Sequence, residues 1–234
     1  VEWPSNPGEG QNDVLSYQWF GLDGEREWSG VHYPEDDKRL TISDWLSLAL
    51  MEGYKNRTWP RTVVLASHFT TAELSAVKNF HTLKSRLDLV QGSSYASARQ
   101  PFTANCYDNS RNRHPVTVHL LDTMLLAPAD GRSLAALGDL LGFPKEELPA
   151  GHTKDQMRRF MEEEPELFRT YALRDAEITA RYIRRVEEEC SGLGLDNYRP
   201  VTVGGLAVRT FIRKLEESGQ SYDSIMGTAQ SSTR

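Results

Sequence analysis

From Pro165 to about Cys190 the residues Leu167, Phe168, Tyr171, Ala172, Ile178, Tyr182, Ile183 and Val186 recur at helical spacing. That pattern predicts one long amphipathic helix, whose apolar stripe must be buried against another layer of structure. The chain ahead of it supplies strands. Val14–Leu22 is β-rich and aromatic, Asp23-Gly24 signals a hairpin turn, and Glu25–Tyr33 reads as the returning strand. Arg61–Ala66 reads as a short buried strand. Phe102–Tyr107 and Val116–Leu121 read as two more, joined by the polar turn Asp108–His114. Helices are expected after Ser43 as far as Gly53, over Thr71–Phe80, and over Leu134–Leu141 between a Ser133 cap and Gly142. Two more are expected from Thr153 to Glu164 and over roughly 203–218. Residues 4–13 read as a loop, and 84–100 give no single pattern beyond a Gly-Ser-Ser turn near 92–94. Strands interleaved with helices and then a run of helices imply a mixed α/β sheet covered by helices.

Composition narrows what such a fold could do. The chain has 234 residues, 27 Lys and Arg against 33 Asp and Glu, and a net charge of −6. It is long enough for one large or two small domains with a full core. No apolar run approaches the ~20 residues of a membrane span. Two cysteines, Cys106 and Cys190, exclude a disulfide framework and a cysteine-built zinc ribbon. With no signal peptide, they point to a reducing, cytoplasmic setting. The acidic balance excludes a wholly basic DNA-coating protein but permits an enzyme with a local nucleic-acid groove. No H-E-x-x-H, G-x-S-x-G or Walker loop is present. The chain opens Val1-Glu2-Trp3-Pro4 and stops in a polar stretch at Arg234, and is read as a fragment of a longer open reading frame.

Three acidic positions carry candidate chemistry. In Tyr171-Ala-Leu-Arg-Asp175 a phenol and a carboxylate lie one helical turn apart on one face, able to orient a water beside a hard cation. Read alone, the same pair is a packed tyrosine and a solvated aspartate. His68-Phe-Thr-Thr-Ala-Glu73 places a carboxylate just beyond a strand end, where α/β sheets gather ligands; a helix-start Glu favoured by the dipole is the plainer reading. Glu2 is unremarkable unless Asp precedes Val1, in which case Asp-Val-Glu would put two carboxylates on one face of a strand. The literal D-x-E at Asp23–Glu25 falls on the hairpin turn and is discounted. Arg111, Arg113 and His114 form a basic turn that either steers DNA or is a solvated hairpin tip. Arg181, Arg184 and Arg185 read as a solvated face. Trp59, Phe69 and Tyr95 are candidate base-stacking residues or core.

Taken together, these stretches resemble the DEDD-type (DnaQ-like) 3′–5′ exonucleases, in the tyrosine-containing subclass that serves as the proofreading domain of family B DNA polymerases, phage- or plasmid-like. Val63–Val77 resembles the second exonuclease motif, with Glu73 where the family usually has Asp. Tyr171–Asp175 fits the Tyr-x-x-x-Asp third motif. Asp122–Pro128 with Ser133–Lys145 resembles the strand and helix between the two. The resemblance implies an RNase H-like mixed sheet flanked by helices. It assigns residues 1–190 to an exonuclease domain with its first strand truncated at the N-terminus, and 191–234 to the helical start of a linker towards a polymerase domain. It implies Glu2, Glu73 and Asp175 as ligands of two divalent cations, Mg²⁺ or Mn²⁺, roughly 3.5–4 Å apart. It further implies Tyr171 to orient the attacking water, Lys145 to contact the scissile phosphate, and His68, Phe69 and Thr70 to meet the nucleic acid. Asp122 is assigned to holding the strand end. The implied partners are a single-stranded DNA 3′ end or primer–template and the polymerase domain of the same parent chain, with no membrane. Phe69 stands where many relatives carry an Asn. A stand-alone exonuclease on DNA or RNA, and a degenerate exonuclease fold that only binds nucleic acid, are the alternatives.

Overall fold

The computed structural model describes residues 1–2, 14–35, 38–85, 98, 100–221 and 225. The expected loop at 4–13, the turn near 92–94 and Tyr95 lie outside these residues. Strands β1 (Tyr17–Asp23) and β2 (Arg26–His32) form the expected hairpin, closed by the two-residue loop Gly24-Glu25. Helix α1 (Ile42–Gly53) follows. Its cap is Thr41, not Ser43: Thr41 Oγ1 accepts from the Asp44 amide at 3.2 Å, and the Asp44 carboxylate accepts from the Thr41 amide at 3.1 Å.

Strand β3 (Thr62–Ser67) leads into α2 (Thr70–Ser75) and then α3 (Phe80–Lys84). The sequence pattern favours one helix over Thr71–Phe80, and the chain breaks it in two. Tertiary hydrogen bonds explain the break. The Lys78 amide donates to Leu40 O at 2.9 Å, Tyr17 Oη donates to Ala76 O at 2.8 Å, and Asn79 Oδ1 accepts from the Ile42 amide at 3.2 Å. The first two satisfy backbone groups that a continuous helix would have paired internally, and the third ties the Asn79 side chain to the start of α1. Strands β4 (Phe102–Tyr107) and β5 (Arg113–Asp122) complete a second sheet in the order β3-β5-β4, with β3 parallel and β4 antiparallel to β5.

The remaining elements are α4 (Thr123–Leu126), α5 (Leu134–Leu141), α6 (Met157–Glu163), α7 (Pro165–Gly192) and α8 (Val203–Glu217). Ser133 caps α5 as expected, and Gly142 ends it in the left-handed conformation at φ 73°. A 3₁₀ turn at Lys154–Gln156 precedes α6 where a single helix from Thr153 is expected.

The class is mixed α/β, and among the described residues the strands form two sheets rather than one. Helix α1 packs on one side of both, and α7 packs beneath β1, β2 and β3 on the other. The alternation of β3 shows the layering: Val63 and Leu65 pack with the α1 core (Trp45, Leu46, Leu50), while Val64 and Ala66 pack with Leu137, Ile178 and Ile183 of α5 and α7. The hairpin is pinned to α1 by Trp28, whose indole N–H donates to Ala49 O at 2.9 Å. Its ring lies flat on Gly21 and Gly53, where any Cβ would penetrate it. Both cysteines are buried and unbridged. Among the described residues no helix is long and apolar enough to cross a membrane.

Candidate active site

The long helix fixes the first two site residues. Phe168 is fully buried, and Phe160 meets both it and Tyr171 edge-on, with ring centroids 5.7 and 6.1 Å apart. This anchors Tyr171 and aims Asp175, one turn later, along the same face. Lys145 is delivered by the turn after α5. The Phe143 amide returns to Gly138 O at 2.8 Å, and the Phe143 ring packs under the Arg181 guanidinium at 4.5 Å. Lys145 Nζ then pairs with Asp175 Oδ1 and stands 4.2 Å from the centre of the Tyr171 ring.

Two further carboxylates come from other parts of the chain. Glu2 forms an antiparallel bridge with Ser16 just before β1, and Gln18 Nε2 donates to its Oε1 at 3.4 Å. Glu73 lies on α2 just beyond the end of β3, and the α-ammonium of Val1 donates to its Oε2 at 2.7 Å. Glu2, His68, Glu73, Lys145, Tyr171 and Asp175 all line one cavity of about 910 Å³. Of the eight residues singled out from the sequence, these six converge.

The electrostatics of the cavity are those of buried acids. Burial, with Asp175 and Glu73 nearby, pushes the Glu2 carboxyl up to about 7 against the pull of the Val1 ammonium. Burial raises Asp175 also, and Lys145 opposes it. Burial and the charges of Asp175 and Glu2 raise the Tyr171 phenol well above its ordinary value, so it keeps its proton. His68 is lowered by burial and held through Nδ1 at 2.8 Å from Thr123 Oγ1, so it is neutral at pH 7. The Lys145 ammonium already sits among the carboxylates, as expected of a site that attracts positive charge. Among the described residues, however, no three His, Cys, Asp or Glu side chains form a metal-holding group.

Phe69 and Thr70 stand apart from the cavity. Thr70, expected to meet nucleic acid, is fully buried, with Oγ1 2.7 Å from Ser67 Oγ and its amide donating to Asp122 Oδ2 at 2.9 Å. Its side chain presents no surface to a ligand. Phe69 is 38% exposed and sits in the left-handed region at φ 66°, ψ 61°, a conformation that costs a non-glycine residue about 1 kcal/mol or more. Asp122 does hold the strand end: its carboxylate accepts from the amides of Phe69, Thr70 and Met124 at 3.3, 2.9 and 2.9 Å, capping α2 and α4 together.

Two neighbours of the site escape sequence reasoning. Arg181, expected to be solvated, grips Glu27 of β2 with both terminal guanidinium nitrogens at 2.9 Å and Glu177 with Nε at 2.8 Å, its guanidinium over the rings of Phe20 and Phe143. The Glu177–Arg181 spacing of one turn was the available signal; nothing local points to Glu27. Lys154 also lines the cavity and lowers Asp175 electrostatically. The basic turn is organised by Asp108, which accepts from the amides of Ser110 and Asn112 and sits 3.1 Å from His114 Nε2. The His114 ring stacks on Trp59 at 4.4 Å, away from the cavity lining.

No family model matches the chain, and no solved structure matches it. Among curated proteins it is similar to the primer-independent DNA polymerase PolB of Escherichia coli, with 32% identity over 250 aligned positions that cover 97% of this chain. The chain spans 29% of that relative's length, so what the likeness establishes is sequence kinship with one part of a DNA polymerase.

Proposed function

We propose that this chain is a metal-dependent 3′–5′ exonuclease of RNase H-like architecture that shortens DNA from its 3′ end, as the proofreading part of a DNA polymerase. The observation that carries the reading is the convergence of Glu2, Glu73 and Asp175, from three separate elements, on one cavity with Tyr171 and Lys145. The likeness to a DNA polymerase supplies the substrate class.

The donor set fits hard divalent cations such as Mg²⁺ or Mn²⁺: it is all oxygen, and the charges of Asp175 and Glu73 add to the upward push that burial puts on Glu2. Glu2, Glu73 and Asp175 would hold the ions, which when bound activate a water and stabilise the leaving oxygen of a phosphodiester. The chain's own residues do the rest. Tyr171 keeps its phenolic proton and can orient a water beside Asp175 by hydrogen bonding. Lys145 pairs with Asp175 and, shifted towards the cavity, can meet a scissile phosphate. Neutral His68, tethered to Thr123, offers the cavity a polar edge without adding charge. Exposed Phe69, outside the cavity lining, offers a ring on which a base can stack.

A second reading has an observation of its own. The lack of a three-member metal-holding group among the described residues favours a fold that binds a DNA 3′ end without cleaving it. One assay separates the two. The protein is incubated with 5′-labelled single-stranded DNA in Mn²⁺, Mg²⁺ or EDTA, beside Asp175→Ala. The exonuclease reading expects a metal-dependent ladder shortening from the 3′ end and lost in the variant. DNA binding without a ladder, or an active Asp175→Ala protein, overturns it.

A further inference from the structure

Five cations without carboxylate partners gather at one end of the β3-β5-β4 sheet. Strands β3 and β5 run parallel, so the segments that lead into them lie side by side: the Thr117 amide donates to Arg61 O at 2.9 Å, and Trp59 stacks on His114 with ring centroids 4.4 Å apart. The segment Tyr54–Arg61 contributes Lys55, Arg57 and Arg61 and has no acidic residue. The turn Tyr107–His114 contributes Arg111, Arg113 and one acid, Asp108. All five cations are exposed, and among the described residues none of them pairs with a carboxylate. On the helices, by contrast, Arg159, Arg185 and Arg213 each hold a glutamate one turn on, and Lys214 shares Glu217 with Arg213.

Asp108 is committed to the turn itself. Its carboxylate accepts from the amides of Ser110 and Asn112 at 2.9 Å each and from the Asn112 side chain at 3.0 Å, and it faces His114 Nε2 at 3.1 Å. Across the strands, Tyr107 lies directly opposite Arg113, so the two side chains share one face of the sheet. That face is open: Thr103 and Asn105 of β4 are exposed along it, as is Pro115 of β5, and Tyr107 is 45% exposed. The patch stands at the start of β3, whereas Glu73 lies beyond its end, so about 20 Å of strand separates the cations from the carboxylate cavity.

We infer that this end of the sheet is a single-stranded nucleic-acid site separate from the cavity, holding phosphates on Lys55, Arg57, Arg61, Arg111 and Arg113 and a base on the Tyr107 ring. A run of phosphates matches cations that no carboxylate of the protein satisfies, and releasing the counterions of those phosphates drives such binding. An exposed phenol beside a guanidinium, with polar Thr103 and Asn105 along the same strand, takes an unpaired base by stacking. An acidic peptide would satisfy the cations but would bring no succession of flat rings to Tyr107. An anionic membrane would call for more apolar surface than one tyrosine provides. The inference goes beyond the exonuclease reading, because the site requires neither a metal ion nor cleavage.

The test follows binding of a labelled oligo-dT of about 20 nucleotides by fluorescence anisotropy, in EDTA and over a range of KCl concentrations. Without divalent cations the carboxylates repel phosphates, so the assay reports the patch and not the cavity. The fourfold variant R57Q/R61Q/R111Q/R113Q is compared with wild type and with the charge-matched R159Q/R185Q/R213Q/K214Q, each shown to be folded by circular dichroism. At about 0.1 M KCl the patch variant should bind about 10-fold or more weakly, and its plot of log K against log [KCl] should be shallower by about 2–3, while the charge-matched variant keeps the wild-type slope. Tyr107→Ala should weaken binding about 5-fold or more with the slope unchanged, and Tyr107→Phe should restore it. Wild-type affinity and slope in the patch variant overturn the inference. Equal losses in the two fourfold variants also overturn it, because net charge alone would then be acting. Duplex DNA bound as tightly as oligo-dT, with Tyr107→Ala silent, overturns the assignment to a single strand. No step of the assay involves hydrolysis, so its failure is distinct from the failure of the exonuclease ladder.

Discussion

Glu2→Gln isolates the cost of burying a carboxylate in the cavity. The Glu2 carboxyl stands at about 7 in the folded protein against an ordinary 4.5. An acid whose folded value is raised binds its proton more tightly when folded, so the folded state is favoured while the group is protonated and loses ground as pH rises. Below pH 4.5 Glu2 contributes no penalty; the penalty grows from there to about pH 7 and is constant above. At about 1.4 kcal/mol per pH unit the full penalty is about 3 kcal/mol. For a chain of this size that corresponds to a fall of roughly 6–12 °C in Tm. Urea and thermal unfolding of wild type and Glu2→Gln at pH 5, 6, 7 and 8 measure it. The difference in stability between the two proteins should change by about 2–3 kcal/mol in favour of the variant from pH 5 to pH 8, since part of the penalty is already present at pH 5. Comparing the two proteins at each pH cancels the titration of His68 to first order. If the proposed cation site is real, Mn²⁺ at pH 8 should stabilise wild type more than the variant. Parallel curves for the two proteins would show that Glu2 ionises as it does in water, and would refute the argument from burial.

Three more outcomes are expected. Tyr171→Phe should lower hydrolysis about 10–100-fold while Mn²⁺ affinity, followed by calorimetry, stays within about twofold, because the phenol acts on a water and not on the ion. Asp122→Ala leaves three amides of two helix starts without their acceptor and should cost about 2–4 kcal/mol in urea unfolding; a loss under 1 kcal/mol would mean that water replaces the carboxylate freely. Arg181→Ala should reduce kcat by loosening Phe143 and with it Lys145. Arg181→Lys should recover little, since an ammonium cannot hold both Glu27 oxygens at once; full activity in either protein would detach this network from the site.

The sequence displayed those parts of the molecule whose causes are local. Hydrophobic period announced α7, a Ser cap and a left-handed Gly bounded α5, and Asp23-Gly24 marked the hairpin. The tyrosine and aspartate one turn apart were legible for the same reason, as was the carboxylate beyond the end of β3. What the sequence hid depends on distant partners. The split between α2 and α3 is imposed by Leu40, Ile42 and Tyr17, none of which announces itself in the pattern of 71–80. Thr70 reads as a ligand-facing hydroxyl until Ser67 and Asp122 are seen to enclose it. Arg181 reads as solvated because Glu27, its bidentate partner, is 154 residues away. The division of the strands into two sheets is a property of edges, and single strands carry no mark of which edge will be left open.

Trp28 links the fates of positions that a one-at-a-time survey would score separately. Its ring needs bare backbone at both Gly21 and Gly53, yet neither glycine has a positive φ. Each should therefore be intolerant of even alanine in the native background, for reasons of space and not of conformation. Replace Trp28 with a small residue and the veto on both positions lifts together, so Gly21→Ala and Gly53→Ala should be harmful alone and nearly silent beside Trp28→Ala. In a lineage that had lost this tryptophan, the two glycines would be released to drift. The path back would then close, since the indole could not return until both side chains had gone.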